Sequence, residues 1–327
     1  MKLFFIPLRL ILWILFLAAL GCSPGENVLS IALNHHNPKT IYIGTTGGGF
    51  YKSTDKGVTF KKMNEGLSSY NISSVAINPS ISTVLYAGTY GDSVYRSVDS
   101  GQQWIIIRNG LSDNAGTQAI NSVLADPEVA EIIYVGTNHG VHKTTDGGGE
   151  WTSANMGIGN RFVITLAFDP TDKNTLLAGT NEGIYKTRNA GKTWTTLHPE
   201  TKKWAMNTIV FDRTNPSTLY AGTNQGVFKS TDGGETWKHL TNGFSSPFIM
   251  AIAIDPVLSQ ILYAGGKNGI YRTTDGGEAW RLLPKSPRSI SAIAIHPQAG
   301  EMVFAGTTHG LYKSTDQGEN WTKINLH

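Results

Sequence analysis

The sequence predicts an all-β protein folded as a single seven-bladed β-propeller of four-stranded antiparallel blades, and three observations carry that prediction. An eight-residue turn typified by STDGGETW (230–237) recurs seven times, each interval between copies contains four short apolar runs, and the composition is rich in glycine and poor in charge. With 37 Gly and only 16% charged residues in 327, the balance suits many strands joined by tight turns rather than helices.

The chain begins with MKLFFIPLRLILWILFLAALGC, which has a basic start, an apolar stretch from Leu10 to Leu20 and small residues leading to Cys22. That stretch fits the core of a secretion signal and falls short of the ~20 residues a membrane span needs. Residues 1–22 are therefore expected to be a signal peptide and 23–27 (SPGEN) a short tether. Cys22 is the only cysteine, so no internal disulfide can form. Ala19-Leu20-Gly21-Cys22 resembles the bacterial lipobox, with Ala19 where Leu is usual and Leu20 where a small residue is usual. The resemblance implies lipid attachment at Cys22, and Ser23 after it implies outer-membrane sorting.

The propeller is expected over 28–327. The repeated turn reads STDKGVTF (53–60), SVDSGQQW (97–104), TTDGGGEW (144–151), TRNAGKTW (187–194), STDGGETW, TTDGGEAW (273–280) and STDQGENW (314–321). Its third positions lie 44, 47, 43, 43, 43 and 41 residues apart. One period shows the four runs: FIMAIAIDP (248–256), ILYAGG (261–266), GIYRTTD (269–275) and AWRLL (279–283). Runs of this length bounded by Gly, Pro, Asn and Asp read as a four-stranded meander, and seven such meanders read as a propeller. VLSIALN (28–34) opens the series as an innermost strand and WTKINL (321–326) closes it as an outermost one, so the ring is expected to close without a strand exchanged between the termini.

The turn has a structural chemistry. A hydroxyl and a carboxylate two residues later can take up the turn's own N–H groups, glycine allows a left-handed corner, and tryptophan buries a large ring. Seven copies cannot all be one catalytic centre, and Asn189, in the third position of the fourth copy, can make the same bonds without acid–base capacity. Trp237 is expected to act as a core pin, with loss of about 3–5 kcal/mol on truncation to Ala. The basic residue ahead of each turn (Lys52, Arg96, Lys143, Lys186, Lys229, Arg272, Lys313) is expected to lay its stem on an aromatic neighbour and send its head to solvent or a carboxylate. Asp126-Pro127, Asp169-Pro170 and Asp255-Pro256 read as turns that end innermost strands.

The repeat resembles the Asp-box, or bacterial neuraminidase repeat, with the pattern Ser/Thr-x-Asp-x-Gly-x-x-Trp. Five copies fit it fully, while Phe60 and Asn189 depart from it. Sialidases, xyloglucan-degrading enzymes, sortilin-type receptors and photosystem II stability and assembly factors carry this repeat. A sialidase would need an Arg-Ile-Pro motif and an arginine triad; the motif is absent and no Arg lies between Arg9 and Arg96. Xyloglucan-degrading relatives set two aspartates between two propellers, and this chain has repeats for one. Asp92, Asp113, Glu182 and Glu200 lie on loops able to carry chemistry, without a spacing that makes them a pair. The resemblance to the assembly factors implies a non-catalytic protein-binding scaffold of the cell envelope, with a carbohydrate-binding protein or glycoside hydrolase as the alternative.

No catalytic residue, cofactor or metal site is expected, because no HExxH, CxxC or calcium-loop spacing occurs. Without the leader the chain has 25 basic and 24 acidic side chains, which argues against nucleic acid. The expected partner is an envelope protein or protein complex, or a glycan, with membrane contact only through the lipid. Its binding surface is expected on the face opposite the repeated turns, where the loops differ most. Six of eight tryptophans are turn residues and Trp13 is in the leader, leaving Trp204. Phe162 and Phe248, placed one residue into neighbouring strands, together with Arg161, Lys203 and Tyr90, complete an aromatic and cationic cluster of the kind found at binding hot spots.

Overall fold

The computed structural model describes residues 27–111, 119–197 and 199–326. Seven four-stranded sheets follow one another along the chain. Blade 1 is Asn27–Leu33, Ile41–Thr46, Gly49–Ser53 and Lys61–Lys62 (β1–β4), and blade 2 is Ile72–Ile77, Leu85–Thr89, Val94–Ser97 and Ile105–Ile106 (β5–β8). Blade 3 is Ile120–Ala125, Ile133–Thr137, Gly140–Thr144 and Thr152–Ser153 (β9–β12), and blade 4 is Val163–Asp169, Asp172–Thr180, Gly183–Thr187 and Thr195–Leu197 (β13–β16). Blade 5 is Met206–Phe211, Leu219–Thr223, Gly226–Ser230 and Lys238–Leu240 (β17–β20). Blade 6 is Ile249–Ile254, Leu262–Gly266, Gly269–Thr273 and Arg281–Leu282 (β21–β24), and blade 7 is Ile290–Ile295, Val303–Thr307, Gly310–Ser314 and Thr322–Ile324 (β25–β28). Every sheet is in simple sequence order, so no strand is exchanged at the closure. Asn27, read from the sequence as tether, pairs with Thr46 inside β1.

Each innermost strand is an edge, and an edge leaves main-chain groups in need of partners. Serines from the preceding blade supply some of them. Ser30 Oγ accepts the N–H of Val75 at 3.0 Å, Ser74 Oγ that of Val123 at 3.0 Å, and Ser122 Oγ that of Leu166 at 3.3 Å. At the closure, Ser291 Oγ donates to the Val28 carbonyl at 2.5 Å. Apolar cores lie between successive blades; one joins Val28, Ile41 and Phe60 of blade 1 to Phe304 and Leu311 of blade 7.

The repeated turn closes on itself in all seven copies. Its first hydroxyl donates to the Asp or Asn at the third position over 2.6–2.9 Å, Asn189 included. The same hydroxyl accepts the N–H of the fifth residue, as in Gly234 to Ser230 Oγ at 2.8 Å. Two successive residues are left-handed rather than one. In the first copy these are Lys56 at φ 61° and Gly57 at φ 73°, and in the fourth Ala190 at φ 56° and Gly191 at φ 84°.

That double twist aims the fourth residue's carbonyl at the preceding blade, and there the basic residues end. Lys52 Nζ donates to Ser100 O at 3.2 Å, Lys186 to Gly233 O at 2.8 Å, Lys229 to Gly276 O at 2.9 Å and Lys313 to Lys56 O at 2.7 Å. The last of these fastens blade 7 to blade 1. The tyrosines at the cross-strand positions join in, with Tyr220 Oη donating to Gly276 O and Tyr263 Oη to Gln317 O, both at 3.0 Å. Expectation and structure differ in part here: five of the seven cations lie over aromatic rings, such as Lys143 over Tyr134 at 5.0 Å, but the five lysines send their heads to the next blade's main chain, Lys186 lying also 4.0 Å from the Glu235 carboxylate, while Arg272 meets the Gln317 side chain. The turns are therefore couplings between blades.

An acid transition follows from the same bonds. The Thr236 hydroxyl, then the turn's N–H groups, hold Asp232 down at about 2, and Asn320 does so for Asp316. A free Asp titrates near ~3.9. Because the folded values are the lower ones, the stabilisation is complete above about pH 4 and is lost as pH falls towards 2. Thermal melts across that window are expected to show a steep fall, and a flat profile would contradict the assignment.

Candidate functional site

The face carrying the repeated turns is occupied by this inter-blade bonding. The opposite face is built by the loops after each outermost strand and by the turns between second and third strands. Asp126, Asp255 and their counterparts belong to the first face, where they cap loops: the Asp126 carboxylate accepts the N–H groups of Glu128 and Val129, each at 2.9 Å.

Four of the sequence-predicted residues converge on one turn of the opposite face. The Phe162 carbonyl accepts the Asn181 N–H at 3.3 Å and the Trp204 carbonyl accepts the Gly183 N–H at 3.1 Å, so both flank the Asn181–Gly183 turn of blade 4, with Arg161 and Lys203 adjoining them. Arg161 and Lys203 are exposed, while Phe162 and Trp204 are half-buried. Phe248 stands at the start of blade 6 and Tyr90 on the blade 2 turn, where burial raises the Tyr90 phenol above its ordinary pKa. Phe162 and Phe248 precede Val163 and Ile249, the first residues of β13 and β21; they lie just outside their strands, and blade 5 separates them.

Trp204 also has a packing role. In blades 2, 4 and 6 the tyrosine at the centre of the third strand reaches the incoming loop, as Tyr95 does to Ser68, Tyr185 to Asn160 and Tyr271 to Ser245. Blade 5 has Phe228 there, which lacks the hydroxyl. Its incoming loop instead forms a 3-10 turn, Pro199–Lys203, and lays Trp204 on Phe228 at 4.0 Å, with His239 stacked beyond at 4.3 Å.

A second cluster was only partly visible in the sequence. Asp92 accepts the hydroxyls of Ser68, at 2.5 Å, and Tyr95, and these two hydroxyls also meet at 2.5 Å. Burial first, then the Asp92 bond, raise the Tyr95 pKa, so the phenol stays a neutral donor. Next to Asp92, Ser93 has φ 98° where the other six blades place a left-handed glycine, and its buried Oγ has no partner among the described residues. The break in that glycine series was the signal for this spot. Asp92 is bonded by two hydroxyls, and among the described residues no second carboxylate shares them. Glu182 lies on the blade 4 turn; Asp113, the Glu200 side chain and Cys22 lie outside the described residues. Among the described residues no group of three or more His, Cys, Asp or Glu side chains is placed to hold a metal ion, and no helix is long and apolar enough to cross a membrane.

The molecule is thus a single seven-bladed β-propeller whose blades are coupled through repeated turns and whose opposite face carries the variable loops. Within that class, the family described as Sortilin, neurotensin receptor 3 matches residues 92–226 and 225–327, and the chain belongs to it. No curated protein is significantly similar in sequence. Among solved structures, the fold is similar to the GH74 xyloglucanase of Xanthomonas campestris (TM-score 0.78, 17% identity, 93% of this chain and 55% of that one). It is also similar to the GH74 enzyme of Niastella koreensis (0.75, 19%, 92% and 54%). A third relative in fold is YCF48 bound to D1 peptide (0.67, 17%, 90% and 94%). The chain spans about half the length of the GH74 enzymes and nearly all of YCF48.

Proposed function

We propose that this protein is a non-catalytic binding propeller of the bacterial envelope that holds a segment of another envelope protein on the face opposite its repeated turns. The observation that supports this reading most is the gathering of Arg161, Phe162, Lys203 and Trp204 around one turn, aromatic surface flanked by exposed cations. The match over nearly the full length of YCF48, solved bound to D1 peptide, agrees with it. Export as a lipoprotein anchored through Cys22 belongs to the same proposal. Mass spectrometry of the mature N-terminus tests it: a lipid-modified Cys22 is the expected species, and an unmodified Cys22 removes the anchor.

The second reading is a glycan-binding protein or hydrolase, favoured by the higher TM-scores to GH74 enzymes. Such a reading would rest on the Asp92 carboxylate and the Ser68 and Tyr95 hydroxyls bonded to it.

Because Trp204 also packs on Phe228, its truncation mixes folding with binding. The cleaner test pairs Trp204→Ala with Arg161→Glu, which lies in solvent. Both variants are expected to lose partner capture, and Arg161→Glu is expected to melt like the parent. Undiminished capture by Arg161→Glu would remove the site.

A further inference from the structure

We propose that the cleft between blades 1 and 2 is a second binding site, on the outer wall of the ring, that takes the carboxylates of an acidic polypeptide segment. The cleft is an open groove of about 590 Å3 lined by Lys61, Lys62, Asn64, Glu65, Tyr70 and Gln102, among others. Its size lies within the range of ordinary ligand sites.

The charge of the cleft comes from a break in the repeat. Where an outermost strand opens with a cation, that residue faces the sixth residue of the next blade's turn. Lys238 pairs there with Glu278 at 2.8 Å, and Arg281 pairs with Glu319. Between blades 1 and 2 the same two positions hold Lys61 and Gln102. Gln102 folds its amide onto the Asp99 carbonyl of its own turn at 3.1 Å. Lys61 is left without the counter-ion its equivalents have, and it forms no ion pair among the described residues. Lys62, the next residue along the strand, turns to the other face of the sheet, its ammonium 5.5 Å from the Tyr51 ring in the core shared with blade 7, so Lys61 is the cation that faces blade 2. From Asn27 to Asn71 the chain carries five lysines against Asp55, which its turn consumes, and Glu65.

An extended peptide fits this wall better than a sugar acid. Lys61 and Lys62 form the edge strand of blade 1, whose outward main-chain groups can pair with an added strand. Tyr70, 49% exposed, offers an apolar ring beside them. Glu65 lies in the same cleft and opposes an anion, so its removal should strengthen binding. This inference concerns the outer wall and does not depend on the site around Trp204.

The test uses the mature chain and a labelled decapeptide of alternating Glu and Ala, beside an oligogalacturonate of equal charge. The parent is expected to bind the peptide, less tightly as salt rises. Gln102→Glu installs the pair already present in blades 5 and 6; it should fold normally and weaken peptide binding about tenfold or more, while Glu65→Gln should tighten it. Absence of peptide binding by the parent, equal binding by Gln102→Glu, or preference for the oligogalacturonate would overturn the proposal.

Discussion

Replacing Trp151 with alanine is expected to cost about 3–5 kcal/mol, the range for truncating a large buried ring. Trp151 is 2% exposed and lies in the core shared by blades 2 and 3. Its indole N–H donates to the Ile107 carbonyl at 2.9 Å and its main-chain N–H to Asn109 at 2.8 Å, both in the preceding blade. Truncation therefore opens a cavity and leaves a buried carbonyl unpaired. Trp237, which the sequence suggested would behave the same way, is half-buried, and its indole bonds to Gly234 O of its own turn at 2.9 Å. Its truncation should cost clearly less. Urea melts of the two variants check this, and equal losses would contradict the distinction between inter-blade and local tryptophans.

Gly243→Ala should be comparably damaging for a different reason. Gly243 has φ 92°, and a Cβ there would sit 1.8 Å from the Trp280 carbonyl oxygen. The left-handed conformation costs a side chain roughly 1–2 kcal/mol, and displacing packed backbone adds about 1–3 kcal/mol. Gly91 supplies the control: its φ is 97°, yet nothing lies within 4 Å of its added Cβ. Gly91→Ala should show the conformational cost alone. If the two variants melted together, the contact between the Gly243 loop and the next blade would not be a coupling.

The same pairing explains why the outermost strands are shorter than the apolar runs imply. Trp280 was read as part of a strand, but its N–H goes to Asn242 of the preceding loop, and β24 begins at Arg281. Glycines at 66, 110, 157 and 243 make this contact in four blades. The recurring Asn64-Glu65-Gly66-Leu67, Asn109-Gly110-Leu111, Asn155-Met156-Gly157-Ile158 and Asn242-Gly243-Phe244 were available in the sequence as its signal.

Blade number, strand order and the self-contained closure were legible because each depends on a period repeated seven times. What a periodic sequence cannot carry is which neighbour a side chain meets. Lys229 sits one residue from its own turn, yet its partner, Gly276, is 47 residues on. Trp204 stood out as the tryptophan outside the repeat, but its stack on Phe228 follows from a missing hydroxyl that only the other blades' tyrosines make visible. The residues of the candidate site were legible as an unusual set on one face; the grouping of four of them around a single blade 4 turn, with Phe248 and Tyr90 elsewhere, needed the coordinates.

Site-specific photo-crosslinking in the intact envelope tests the functional account most directly. A crosslinker at position 203, beside Trp204, should form adducts with peptides of a defined partner protein, and one at position 39, on the face of the repeated turns, should form none. Adducts at position 39 alone, or a glycan array that responds while position 203 captures no polypeptide, would contradict a protein-binding face opposite the turns.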